Sequence, residues 1–142
     1  MAVGGTVSTP ILVYPDGQFL TFTVSSAAVT LGDVVMLSAS DGTVLGATTG
    51  SVLVIGVVIN GNRISRTATD DQVPVGAVAT VCTRGVVYCS VGTGTVTVGD
   101  LVEAYTTGTV HTHTAGAAAY PAVLGKALTT STTSVQVMLG LI

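Results

Sequence analysis

Apolar and polar residues alternate in short runs along most of this chain. Phe19-Leu20-Thr21-Phe22-Thr23-Val24 reads as a strand, and from Leu31 onward similar runs recur at near-regular spacing, at residues 34–38, 43–47, 52–59, 77–83, 86–91, 101–105, 110–114, 122–128 and 134–141. Alternation over four to eight residues marks a half-buried strand. Gly-Asp, Asp-Gly, Asn-Gly and Thr-Gly pairs stand between the runs, so the pattern predicts an all-β fold, a β-sandwich or a small β-barrel. No window carries a helical period. The alanine-rich stretch 115–119 is too short to stand alone as a helix and is closed by Tyr120-Pro121.

One unit occurs twice. Val29-Thr30-Leu31-Gly32-Asp33-Val34-Val35 returns as Val96-Thr97-Val98-Gly99-Asp100-Leu101-Val102. Each copy leads to a second apolar strand carrying a glycine, Val54-Ile55-Gly56-Val57-Val58 and then Val123-Leu124-Gly125-Lys126-Ala127-Leu128. The Gly-Asp pairs have a mechanical reading: glycine takes a positive φ in a tight turn, and the Asp side chain accepts a hydrogen bond from a nearby backbone amide. Calcium would want further carboxylates in the same loop, and the nearest, Glu103, lies on the following strand.

Composition sharpens this picture. The 142 residues include 26 valines and 24 threonines, β-branched types that suit a pleated surface, and only 8% are charged, where an ordinary domain has roughly a quarter. A surface so poor in charge is not an ordinary solvated one. The longest apolar runs fall short of the ~20 residues of a spanning helix, and four Tyr, two Phe and no Trp do not furnish the aromatic girdles of a membrane barrel. The N-terminus lacks the basic start and long apolar core of a secretory signal. Net charge is -3 with four basic residues, Arg63, Arg66, Arg84 and Lys126, which supplies no stripe for nucleic acid.

Candidate chemistry is sparse. Cys82 and Cys89 stand an odd number of residues apart, so on one continuous strand they face opposite sides and a disulfide is not expected. His111 and His113 alternate, so on a strand they share a face about 7 Å apart, a spacing metal ligands use; a hydrogen-bonded pair is the plainer reading, because no Cys, Asp or Glu stands next to them in sequence. No nucleophile elbow, carboxylate pair or phosphate-cradling glycine loop is present, so neither an enzyme nor a cofactor is expected. The polar segment 60–72 holds Arg63 and Arg66 and reads either as a solvated hairpin connection or as a contact loop whose guanidinium groups reach a partner's carboxylates.

The ordered succession of pieces resembles a known family. Val29 to Val35, Val54 to Val58, Val73-Pro74-Val75-Gly76-Ala77-Val78-Ala79-Thr80-Val81, Arg84-Gly85-Val86-Val87, Val98 to Val102, Leu124 to Leu128 and the terminal Ser134-Val135-Gln136-Val137-Met138-Leu139 follow the order seen in the small capsid decoration, or cement, proteins of tailed viruses. The resemblance covers residues 29–142. It implies a β-sandwich or β-tulip-like domain, commonly a homotrimer. Such a trimer sits on the outer surface of an icosahedral head and ties major capsid proteins together, with no cofactor, nucleic acid or membrane as partner. That family opens near the Gly-Asp turn, so residues 1–28 are expected to form an N-terminal arm or an added strand. Tyr14 and Phe19 in this segment, with Arg63 and Arg66, are the candidate partner-contact residues. A trimeric fibre or tail protein, or a carbohydrate-binding head module, is the alternative; the latter would need exposed aromatic platforms, and the tyrosines are few and scattered.

Overall fold

The computed structural model describes residues 17–49, 51, 53–61, 72–114 and 123–140. Among the described residues eleven strands follow one another: β1 (Gln18–Val24), β2 (Val29–Thr30), β3 (Val34–Leu37), β4 (Thr43–Gly46), β5 (Val54–Gly61), β6 (Gln72–Val73), β7 (Val78–Ser90), β8 (Leu101–Ala104), β9 (Val110–Thr112), β10 (Val123–Ala127) and β11 (Ser134–Leu139), with a 3-10 turn at Thr106–Gly108. The fold is all-β, as the alternation predicts.

Strand pairing shows a small barrel arrangement. The large sheet runs β1-β4-β3-β5-β7-β11-β10-β8-β9, and β1 also pairs with β7, so β1, β4, β3, β5 and the first half of β7 close a ring. The second half of β7 pairs with β11, and from there β10, β8 and β9 follow; a parallel bridge between Val91 and Val110 returns β9 to the end of β7. The second ring therefore repeats the first. Val24 pairs in parallel with Val44 as Val91 does with Val110, and Val29 pairs with Val73 as Val96 does with Ser131.

The same main-chain and Asp-to-amide hydrogen bonds recur at the two Gly-Asp turns, and Asp100 Oδ2 accepts one more, from the Thr112 hydroxyl at 3.1 Å. Asp33 Oδ2 accepts from the Thr30 amide at 2.9 Å, and Asp100 Oδ2 accepts from the Thr97 amide at 3.0 Å. The Gly32 amide donates to the Val58 carbonyl at 2.7 Å, and that of Gly99 to the Ala127 carbonyl at 2.8 Å. Both glycines stand at positive φ, +95° and +92°, a conformation that any side chain would strain. Val34 and Val35 lie opposite Val57 and Gly56 on β5, as Leu101 and Val102 lie opposite Lys126 and Gly125 on β10. Gly56 and Gly125 are required for a different reason: a Cβ at either would collide with a backbone carbonyl, that of Cys82 or that of Met138.

Valine fills both interiors. Val24, Val29, Val35, Val44, Val58, Val73 and Val81 line the first ring, with Ala79; Val96, Val102, Val110, Val135 and Val137 line the second, with Cys89, Ala104 and Ala127. Each fully buried valine contributes roughly 1.5–3 kcal/mol over exposure. Adjacent residues on a strand point to opposite faces, and here both faces of the first ring are used. Val35, Val58 and Val81 point inward, while their neighbours Val34, Val57 and Cys82 join the buried cluster of the second ring. The outer wall of the first ring is thus packed against the interior of the second.

Two sequence expectations need correction. The runs 77–83 and 86–91 are one strand of 13 residues, β7, and not two. Its phase slips where it passes from one ring to the other, with a bulge opposite the Gln18/Phe19 step. Ala79 and Val81 face the first interior and Val87 and Cys89 the second, so Cys82 and Cys89 lie in the same buried cluster and not on opposite faces. Both thiols are nevertheless free. Tyr14, residues 62–71 of the polar segment and the alanine-rich stretch 115–119 lie outside the described residues.

Candidate functional site

The repeat makes departures visible, and one is chemical. Met36, Leu45 and Ala47 of the first ring correspond by register to Glu103, His111 and His113 of the second: Met36 is opposite Leu45 and Glu103 opposite His111, while the amides of Ala47 and His113 bond the carbonyls of Val34 and Leu101, each at 2.8 Å. Glu103 and His113 are buried, at 8% and 9% exposure. His113 Nδ1 lies 3.2 Å from Glu103 Oε2, and since a carboxylate only accepts, Nδ1 carries the proton in this pairing. His111 Nε2 lies 3.1 Å from Glu103 Oε1, at ion-pair distance but without hydrogen-bond alignment, and its ring rests on Tyr105 with centroids 4.6 Å apart. The two histidines share a face, as their spacing predicts, and a carboxylate from the neighbouring strand orients them, which sequence proximity did not suggest. Superimposing the two copies of the repeat would have placed Glu103 beside them.

This cluster is a polar patch within a wall, and its chemistry is that of a structural pairing. Among the described residues, no group of three or more His, Cys, Asp or Glu is arranged to hold a metal ion. The thiols are equally quiet: burial pushes the Cys82 thiol up, and burial together with the nearby Cys82 pushes Cys89 up to about 12, so neither is a ready nucleophile at neutral pH. Asp33 also binds its proton more tightly than an ordinary carboxyl, because burial outweighs the stabilising bond from the Thr30 amide. A cavity of about 200 Å³ lies between the rings, walled by Val54, Ile55 and Gly56 from one and Val123, Leu124 and Leu139 from the other. It carries no charged side chain.

Exposed apolar residues form the second departure from an ordinary surface. Leu20, Leu53, Val75 and Val98 are 55%, 49%, 55% and 59% exposed. Phe19 is exposed on β1, opposite Cys82, where a partner could reach it. Tyr14, Arg63 and Arg66 lie outside the described residues, so of the four candidate contact residues Phe19 is the one described. No helix among the described residues is long and apolar enough to cross a membrane.

Two tandem β rings with exposed leucine and valine side chains and few charges are what the described residues present, and comparison with known proteins gives the family. A family model described as structural cement protein (E217 gp24/Pam3 gp6) matches residues 2–139. The chain belongs to the phage structural cement protein family. The match begins at residue 2, so the family extends through the N-terminal segment that the motif succession, starting at Val29, left out. Among solved structures that resemble this cement protein is the head fiber gp8.5 N base of bacteriophage phi29, at 15% identity and a TM-score of 0.52, covering 87% of this chain and 93% of that one. At that identity the likeness concerns the fold. A comparison with curated proteins finds no match. As a phage structural protein the cement chain works through protein–protein contacts.

Proposed function

We propose that this protein decorates the outer surface of an icosahedral phage head and, as a homotrimer, stabilises contacts between neighbouring major capsid proteins. The observation that carries this reading is the cement-family match over residues 2–139. The surface supports it: with 8% charged residues and leucine and valine side chains half exposed, recognition rests on apolar burial, at about 25 cal/mol per Å². Trimeric attachment would multiply weak single contacts through effective concentration. Residues 29–142 carry the two repeated units of the decorating domain, and β1 in the segment before them is an added strand that closes the first ring. Tyr14 and Phe19, with Arg63 and Arg66, make the contacts.

A fibre base is the second reading, favoured by the likeness to the phi29 head fibre base, which shares the fold. Mixing the purified protein with undecorated heads separates them. Saturable binding in multiples of three, with a rise in the temperature at which heads disrupt, is the expected result; a protein that assembles on its own and leaves heads unbound sinks the cement role and favours the fibre.

A further inference from the structure

The junction between the two rings within one chain contains a pattern for joining separate chains. Val34, Val57 and Cys82 lie side by side across β3, β5 and β7, all fully buried, and share a cluster with Val87 and Cys89 of the second ring. The proximity of Cys82 to Cys89 places this row against the second interior. By register the second ring carries the same row: Leu101, Lys126 and Met138 lie side by side across β8, β10 and β11. Here Leu101 and Met138 are half-buried and Lys126 is exposed.

The receiving side is repeated as well. Val87 lies opposite Val137, points into the second ring and is fully buried. Its counterpart in the first ring, Leu20, lies opposite Val81, points the same way, and is 55% exposed. Among the described residues β4 meets β1 only at Thr23 and Val24, which leaves the first ring open beside Leu20. One ring therefore has its mouth covered by a neighbouring wall, and at the same place in the other Leu20 is exposed. Among the described residues one wall row and one mouth are left to spare.

The geometry points to a second copy of this chain as the occupant: the row Leu101, Lys126 and Met138 of one protomer seats on the mouth at Leu20 of the next, repeating between chains the packing of Val34, Val57 and Cys82 in one cluster with Val87 and Cys89 within one. Lysine at the centre of the free row suits this use, because its stem covers apolar surface while its ammonium group keeps the wall soluble before assembly. The association is head-to-tail, which closes into a ring when the rotation between protomers allows it. Three copies in such a ring present six similar units around one axis. The inference deepens the self-association part of the proposed function.

Sedimentation of the native protein, Leu20→Arg and Met138→Arg, with far-UV circular dichroism to confirm folding, provides the test. The native chain is expected to self-associate, and each variant alone to lose that association by at least tenfold. An equal mixture of the two variants should form a dimer and nothing larger, because one supplies an intact wall and the other an intact mouth. If Met138→Arg does not fold, Lys126→Glu takes its place with the same expectation. A mixture that stays monomeric, or a Leu20→Arg chain that assembles like the native one, overturns the inference while leaving a trimer intact. A native chain that is monomeric at all concentrations overturns both, and the head-binding measurement then stands separately.

Discussion

The two rings of this chain share a backbone frame and differ in what covers their walls. In the first, the wall formed by β3, β4, β5 and β7 is packed against another ring, and its residues are Val34, Met36, Ala47, Val57 and Cys82. In the second, the corresponding wall carries Leu101, Glu103, His113, Lys126 and Met138; Glu103 and His113 are buried, Lys126 is exposed, and no third ring packs on it among the described residues. The turn glycines Gly32 and Gly99, the strand glycines Gly56 and Gly125 and the main-chain bonds around them recur in both, while the outward side chains diverge. The frame is thus held by turns and close backbone approaches, and the outward positions are free to follow their surroundings.

Substitutions in matched pairs test this division. The largest effect is expected at the frame: Gly56→Ala and Gly125→Ala each push a methyl group onto a carbonyl of the adjoining strand. Each should cost stability at the upper end of about 1–3 kcal/mol. Denaturant midpoints of the two variants should fall together; a tolerant Gly125→Ala would show the second frame to be looser than the first.

Next in size is the polar patch. Glu103→Ala removes the acceptor from buried His113 and should cost about 1–3 kcal/mol. Transplanting the first ring's trio, Glu103→Met with His111→Leu and His113→Ala, removes the three polar groups together and should leave thermal stability within ~1 kcal/mol of native or raise it. A triple variant as unstable as the single one would mean that the second wall has requirements the first does not share.

The smallest effect separates the two turn aspartates. Asp33→Ala loses the bond from the Thr30 amide, at about 0.5–1.5 kcal/mol, and Asp100→Ala loses that from the Thr97 amide together with one from the Thr112 hydroxyl. At Asp33 burial also raises the pKa, so the folded chain holds this proton at pH values where the unfolded chain has released it. Its stabilising contribution is complete below the ordinary carboxyl value of about 3.9 and is lost as pH rises through the elevated value. Asp33→Asn keeps an acceptor without the charge, so its stability relative to native should increase as pH climbs from about 4 toward neutrality. Melting curves of the pair across that range would show it, and a difference that does not change with pH would count against the burial argument.

Much of the frame was legible in the sequence because it rests on local signals. The Gly-Asp turns, the glycine in each second strand and the alternating valines announce themselves within a few residues. Pairings across long stretches did not. That 77–83 and 86–91 form one strand depends on β1 and β11 flanking its two halves. The placing of both cysteines on one side follows from the phase slip within that strand, which alternation does not reveal. The orientation of His111 and His113 by Glu103 depends on β8 lying beside β9. Phe19 was picked as a contact residue, but its neighbour Leu20 is the more exposed of the two, and only the register of β1 shows that it points at an uncovered interior.

Tandem copies in a protein can usually be separated, because a linker joins them. Here the last strand of the first ring runs unbroken into the first strand of the second, so β7 belongs to both. A cut between Arg84 and Gly85 would not release two small domains; it would sever a single 13-residue strand on which both rings close. Neither copy can be deleted, circularised or shuffled into another gene without dismantling its twin, and once fused in this way the duplication admits no simple reversal.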